Sequence, residues 1–152
     1  MQLCAMPKKI VFLLFVFVQF VFQSFNSKDH NIELVVLDSR STKGQIAIGI
    51  YKDDYGFQNS KSFLNKRFPK TEMKNGKLTV KFSLEPGIYG IALLDDESMD
   101  AKMDYNFIGI PKEGFGFSNY YHTGLTKPHF DKFKFEVKPN SQKKIEIKVR
   151  YL

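Results

Sequence analysis

Alternation with a period of two constrains this chain more than any other feature. Ile46, Ile48 and Ile50 share one face of a strand, with the small Ala47 and Gly49 between them. Leu78, Val80, Phe82 and Leu84 alternate with Thr79, Lys81 and Ser83, and Ile145, Ile147, Val149 and Tyr151 alternate without fault. Successive side chains on a strand point to opposite faces, so each run buries one side and wets the other. Ile32, Leu34 and Val36 repeat the pattern, while Val35 and Leu37 also load the second face. Residues 88–94 are apolar on both faces and follow the turn Glu85-Pro86-Gly87, which predicts a central buried strand. Phe133, Phe135 and Val137 alternate only after a slip at Lys132. Beyond the N-terminal segment no run has a long helical period. The expectation is an all-β fold, a single antiparallel β-sandwich of immunoglobulin/transthyretin-like type. In that reading the first two strands form a hairpin, residues 71–74 form a brief edge strand, and Asn75-Gly76 is a two-residue turn. Residues 95–128 form a long loop, and a loop of that length is usually functional or tied down.

The N-terminal segment has a different character. Lys8 and Lys9 precede an apolar run over residues 10–22 that only Gln19 interrupts. A helix of that length spans roughly 20 Å, short of a hydrocarbon layer of about 30 Å. The segment therefore reads as a signal peptide over residues 1–27, followed by a β-sandwich domain over residues 28–152. This predicts a secreted or periplasmic protein of the bacterial cell envelope, held at the membrane only if the signal peptide is uncleaved. Removing Lys8 and Lys9 lowers the formal charge from +7 to +5. The single cysteine, Cys4, precedes the apolar run, so the mature domain has no disulfide, thiolate nucleophile or cysteine-containing zinc site.

Against that basic background, Asp95, Asp96, Glu97, Asp100 and Asp104 stand close together with one cation, Lys102, among them. From Asp96 the order is Asp96-x-Ser98-x-Asp100-x-Lys102-x-Asp104. Oxygen donors on alternate residues, with the carbonyl of Lys102 at the seventh position, are what a chain offers a hard cation, and calcium suits such a set best. The expectation is a calcium-stabilised loop with Asp96, Ser98, Asp100, Lys102 and Asp104 as its ligands. Ala101 replaces the glycine of a helix-flanked calcium loop, and Phe107 stands where a bidentate glutamate would be. Glu113 is a further candidate ligand.

The run Leu84-Glu85-Pro86-Gly87-Ile88-Tyr89, the acidic loop, the run Asp104-Tyr105-Asn106-Phe107-Ile108-Gly109-Ile110-Pro111 and then Gly116-Phe117-Ser118-Asn119 occur in a specific order. In that order they resemble the signature of the bacterial domain of unknown function 2141 family. The resemblance extends from about Asn31 to the C-terminus. It implies a small secreted β-sandwich and brings no established activity or site residues. The Pro-Gly-x-Tyr turn is also similar to corners of transthyretin-like sandwiches, which makes Tyr89 a packing residue.

Phe107, Phe115, Phe117, Tyr120 and Tyr121 are expected mostly to cover the end of the core, with Tyr120 and Tyr121 the exposed candidates for ligand binding. His122 near Ser118 lacks the context of a nucleophile elbow, and no nucleic-acid motif is present. The expected function is a non-enzymatic, monomeric module binding an envelope protein or a surface polysaccharide. The alternative is a small hydrolase using the acidic-loop carboxylates, for which two carboxylates would have to share a cleft.

Overall fold

The computed structural model describes residues 31–152; the expected signal peptide, Cys4 and the first residues of the mature chain lie outside the described residues. The described part is all-β, with two sheets. Eight strands follow in order: β1 (Ile32–Leu37), β2 (Gln45–Tyr51), β3 (Leu64–Pro69), β4 (Leu78–Phe82), β5 (Gly87–Asp96), β6 (Gly114–Phe117), β7 (Lys134–Val137) and β8 (Lys143–Lys148). One short helix, α1 (Asp54–Gln58), follows β2; the Asp53 side chain accepts from Gly56 N at 2.7 Å and caps it.

The smaller sheet has the order β4-β1-β8, and the larger has β3-β2-β5-β6, with β7 also on β5. β5 is the hub, as its two-sided apolar pattern predicts. β2 runs antiparallel along one side of it. On its other side β7 pairs with residues 87–90 and β6 with residues 92–95. Period-two alternation then sends Ile32, Leu34 and Val36, Ile46, Ile48 and Ile50, Ile91 and Leu93, and Ile145 and Ile147 into one shared core. Tyr89 is buried in that core against the rings of Phe63 and Phe135, the packing role expected for it.

Four local expectations are corrected. β1 and β2 do not form a hairpin: they lie in different sheets, β1 with β4 and β8, β2 with β3 and β5. The fold is not wholly antiparallel, because β1 and β8 are parallel, Leu34 opposite Ile145 and Val36 opposite Ile147. Residues 71–74 are not an edge strand; the chain makes a 3-10 turn at Lys70–Glu72, and the strand in that region is β3 just before it. β3 escapes the sequence pattern because it is a half-exposed edge strand in which charged and apolar residues mix. The long loop also contains β6, whose Gly-Phe-Gly-Phe sequence alternates strand-favouring Phe with strand-disfavouring Gly. Gly114 and Gly116 are there because a Cβ on either would lie 2.5 Å from a side-chain atom of β8 or the residues after it. The Asn75-Gly76 turn is as expected, both residues having positive φ between the paired Lys74 and Lys77.

The outer face of the larger sheet carries a second apolar cluster. Phe57 of α1, Phe117 of β6, and Phe130 and Phe133 pack together over Tyr51 and Ala92. The Phe57 and Phe133 rings meet nearly edge to face, 4.8 Å between centroids. The slip in alternation at Lys132 is the 3-10 turn Phe130–Lys132, which places Phe130 and Phe133 in this second cluster before β7 starts.

Candidate functional site

At the end of the sheets where β5 finishes, the inward face of β5 reads Tyr89, Ile91, Leu93, Asp95. Alternation carries the carboxylate of Asp95 to the rim of the core, opposite Ile46. It is fully buried. Lys70, on the 3-10 turn after β3, brings its ammonium to Asp95 Oδ1, and both side chains are 0 % exposed. Lys70 Nζ also donates to the Ser41 carbonyl at 3.2 Å. On the other carboxylate oxygen, Ser39 Oγ donates to Asp95 Oδ2 at 2.6 Å, and the Tyr151 hydroxyl donates to the same atom. Burial, reinforced by the carboxylate beside it, pushes the Tyr151 hydroxyl up to about 12. Three segments distant in sequence thus converge on one carboxylate.

The next layer is more exposed. Arg40 lays its guanidinium over the Tyr151 ring, 4.5 Å from the centroid, and makes a two-pronged ion pair with Glu97 at 3.0 and 2.9 Å. Glu97 also accepts from Ser41 Oγ at 2.8 Å. The hydrogen bond from Arg40 is the main reason its carboxyl is held down, at about 2. A carboxyl depressed in the folded state adds stability above its unfolded value near 4.5, and that contribution disappears as pH falls toward about 2. Because Arg40 is half exposed, the pair is worth at most about 1 kcal/mol. Acid titration of stability for wild type and Glu97→Gln should therefore differ by about that amount above pH 4.5 and converge as pH falls from there toward about 2.

Asp96 turns the opposite way. It is buried under the loop that follows, and its two oxygens accept from Gln45 Nε2 at 2.6 Å, Met99 N at 2.7 Å, Ala101 N at 2.9 Å and Ser98 Oγ at 3.2 Å. Gly44, with φ of +75°, allows the close approach of this loop, since a Cβ there would fall 2.1 Å from the Asp96 carbonyl oxygen. Glu113 lies beneath the same loop, 5 % exposed; Oε1 accepts from Glu97 N at 3.1 Å and Oε2 is buried without a hydrogen-bond partner. Burial raises its carboxyl.

Between Asp104 and Lys112 the loop forms an internally bonded tip. Asn106 Oδ1 accepts from Ile108 N and Ile110 N at 3.0 and 2.9 Å, Asn106 N donates to the Ile110 carbonyl, and Lys112 N donates to that of Asp104. At its apex Phe107 is 99 % exposed and Ile108 is 64 % exposed, with Tyr105 and Met99 also exposed nearby in the loop.

A family model described as an uncharacterized protein conserved in bacteria matches residues 34–146. The chain belongs to the domain of unknown function 2141 family. No curated protein and no solved structure is significantly similar to it. In this member of the 2141 family the matched span runs from β1 into β8, so it contains Ser39, Lys70, Asp95 and the whole acidic loop and stops short of Tyr151.

The residues expected to ligate calcium do not surround one point. Asp96 lies under its own loop with its acceptor sites occupied by that loop's donors and by Gln45, and Ser98 is one of those donors. Asp100 Oδ1 accepts from Lys102 N, while Asp104 is exposed near the tip. Among the described residues no three His, Cys, Asp or Glu side chains stand together as a metal would require. A carboxylate offers about four lone-pair sites, and at Asp96 two amides and one hydroxyl of the loop, together with the Gln45 side chain, use them. Tyr120 is half-buried against the second apolar cluster, and Tyr121 is exposed, its ring near Lys148. Ser118 is buried, donating to the Phe133 carbonyl at 2.6 Å and accepting from Ile91 N, while His122 Nε2 lies on the Thr126 carbonyl; the two do not form a nucleophile and base.

Lys70, Ser39 and Tyr151 carry no local signal as site residues, since their partners lie 25 to 56 residues away in the chain. Asp95 does carry one. Read as the continuation of the inward face of Ile91 and Leu93, it is the single acid on a core-facing row.

Proposed function

We propose that this chain is an exported, non-enzymatic interaction module, an immunoglobulin/transthyretin-like sandwich whose acidic-loop tip docks onto another protein of the bacterial envelope. The observation that carries the reading is the solvent exposure of Phe107 and Ile108 on a turn held by its own hydrogen bonds. Covering a Phe side chain is worth about 1.5–3 kcal/mol. A turn that keeps two such side chains outward therefore forgoes stability in the free protein and recovers it when a partner covers them. An exposed Phe beside an exposed Ile suits an apolar pocket on a protein better than a polysaccharide, whose many hydroxyls would find no hydrogen-bonding partner on either side chain. What favours this reading over a hydrolase using Asp96, Asp100 or Asp104 is the full hydrogen-bond complement of Asp96.

The test is site-specific photo-crosslinking from position 107 in cells that export the protein. A discrete adduct in the envelope fraction is expected, and its loss when Ile108 is also changed to Ser. Only uncrosslinked protein from position 107 would sink the proposal. Phe107→Ser with Ile108→Ser should change stability by no more than about 0.5 kcal/mol, since neither side chain is packed.

Calcium stands outside this reading, because the loop's own donors already satisfy Asp96. Wild type is expected to melt at the same temperature in chelator and in millimolar calcium. A calcium-dependent rise, which mass action would set at about 2.7 kcal/mol for free ion at one hundred times its dissociation constant, would mean that the loop rearranges to release Asp96.

A further inference from the structure

Lys70 and Asp95 are opposed in a site that no solvent reaches, and the exported domain has no cysteine with which to close a covalent loop. The arrangement does more than hold two charges. One carboxylate oxygen, Oδ1, faces the amine; the other, Oδ2, receives the hydroxyls of Ser39 and Tyr151. That is the distribution of donors an acyl transfer needs, with a nucleophile on one side of the carboxyl carbon and two donors on the oxygen that gathers charge. The second acceptor near the amine, the Ser41 carbonyl at 3.2 Å, is placed to hold one N–H.

We propose that Lys70 and Asp95 condense into an intramolecular amide, an autocatalytic cross-link between the turn after β3 and the end of β5. The Lys70 ammonium passes one proton to Asp95 Oδ1, which discharges two groups that burial has deprived of water. The freed amine adds to Cγ, forming the Nζ–Cγ bond and placing negative charge on Oδ2 beneath the Ser39 and Tyr151 hydroxyls. A second proton passes from Nζ to Oδ1, the Cγ–Oδ1 bond breaks, and one water leaves. Oδ2 becomes the amide carbonyl oxygen, still accepting from Ser39 and Tyr151, and the remaining N–H donates to the Ser41 carbonyl. No oxidant or cofactor enters the balance.

Proximity supplies the drive. Both reactants are fixed by folding, so the step is unimolecular, and well-oriented intramolecular reactions reach effective concentrations on the order of 10⁵ M or more. The hydroxyl of Tyr151, pushed up to about 12 chiefly by its burial, stays protonated at neutral pH and serves as a donor throughout. Arg40 faces the same pocket from above the Tyr151 ring, with Glu97 held as its ion-pair partner. The cross-link would enclose β4 and most of β5, tying the larger sheet to the turn that leads into the smaller one.

The experiment is denaturing mass spectrometry of the folded, purified protein, followed by tryptic mapping. The expected wild-type mass is one water below the sequence mass. Trypsin should leave the Lys70 bond uncut and yield a branched peptide joining residues 68–74 to residues 82–102. Lys70→Arg keeps the positive charge and should give the full sequence mass. Asp95→Asn keeps a reactive carboxamide, and any condensation there should release ammonia in place of water. Tyr151→Phe should lower the joined fraction at a fixed time after refolding. Wild type at full mass, with Lys70 and Asp95 in separate tryptic peptides, would overturn the proposal and leave a buried ion pair only. So would a loss of water that persists in Lys70→Arg, because its source would then lie elsewhere.

Discussion

Measured against the fraction of wild type in which the two side chains are not joined, Lys70→Met is expected to lower the stability of the fold by about 3–5 kcal/mol, the cost of leaving one member of a buried pair without its counter-charge. Asp95 has nowhere else to turn, being 0 % exposed with Ile46 opposite it on β2. Ser39 and Tyr151 continue to donate to it, but neither supplies a positive charge. With total stabilities of about 5–15 kcal/mol for domains in general, such a loss leaves little margin. The paired change Lys70→Met with Asp95→Leu removes both charges, and replacing a buried pair by well-packed apolar groups is often close to neutral. Urea unfolding of wild type, the single variant and the double variant reads this directly. A single variant within about 1 kcal/mol of wild type would place Asp95 in contact with water, as for a surface pair.

Phe133→Ala should cost about 3–5 kcal/mol, the usual range for emptying a buried aromatic site. The ring is 1 % exposed and is shared by Phe57, Phe117 and Phe130, with centroid distances of 4.8, 5.2 and 5.5 Å. Beneath it Gly90 of β5 has no side chain, and a Cβ there would stand 2.5 Å from the Phe133 ring. The cavity cannot be filled from below, and the three surrounding rings are held by α1, β6 and the 3-10 turn. Phe133→Leu, which keeps part of the volume, should retain a corresponding part of the stability in the same unfolding experiment. Loss of the second cluster leaves the main core between the sheets in place, so near-normal strand content with a lowered melting temperature is the expected circular dichroism result.

Strand identity was written locally. Ile46, Ile48 and Ile50, or Ile145 and Ile147, mark their own faces because a pleated backbone sends alternate residues to opposite sides, whatever lies beyond. The two-sided apolar run of β5 likewise announced a central strand, and Asn75-Gly76 its own turn, since φ and ψ preferences belong to the residues themselves. The family signature was legible for the same reason: it is an order of local motifs. Partnership between strands was not written there. Whether β1 takes β2 or β8 as its neighbour depends on which apolar faces bury each other across more than one hundred residues, and the parallel β1–β8 pairing has no sequence mark. β3 and β6 carry no sequence mark because pairing with β2 and β5, rather than alternation, makes them strands.

The candidate site divides along the same line. The acidic stretch was visible as composition, and composition suggested a shared cation. Tertiary structure separates the first two of these carboxylates, because alternation at the end of β5 turns Asp95 into the core and Asp96 under its own loop. Asp95 then meets a lysine, a serine and a tyrosine brought from three other segments, while Asp96 closes the turn that supports the exposed tip. A single residue's step along a strand reverses the direction of its side chain, and the environment met on either face is supplied by the rest of the fold.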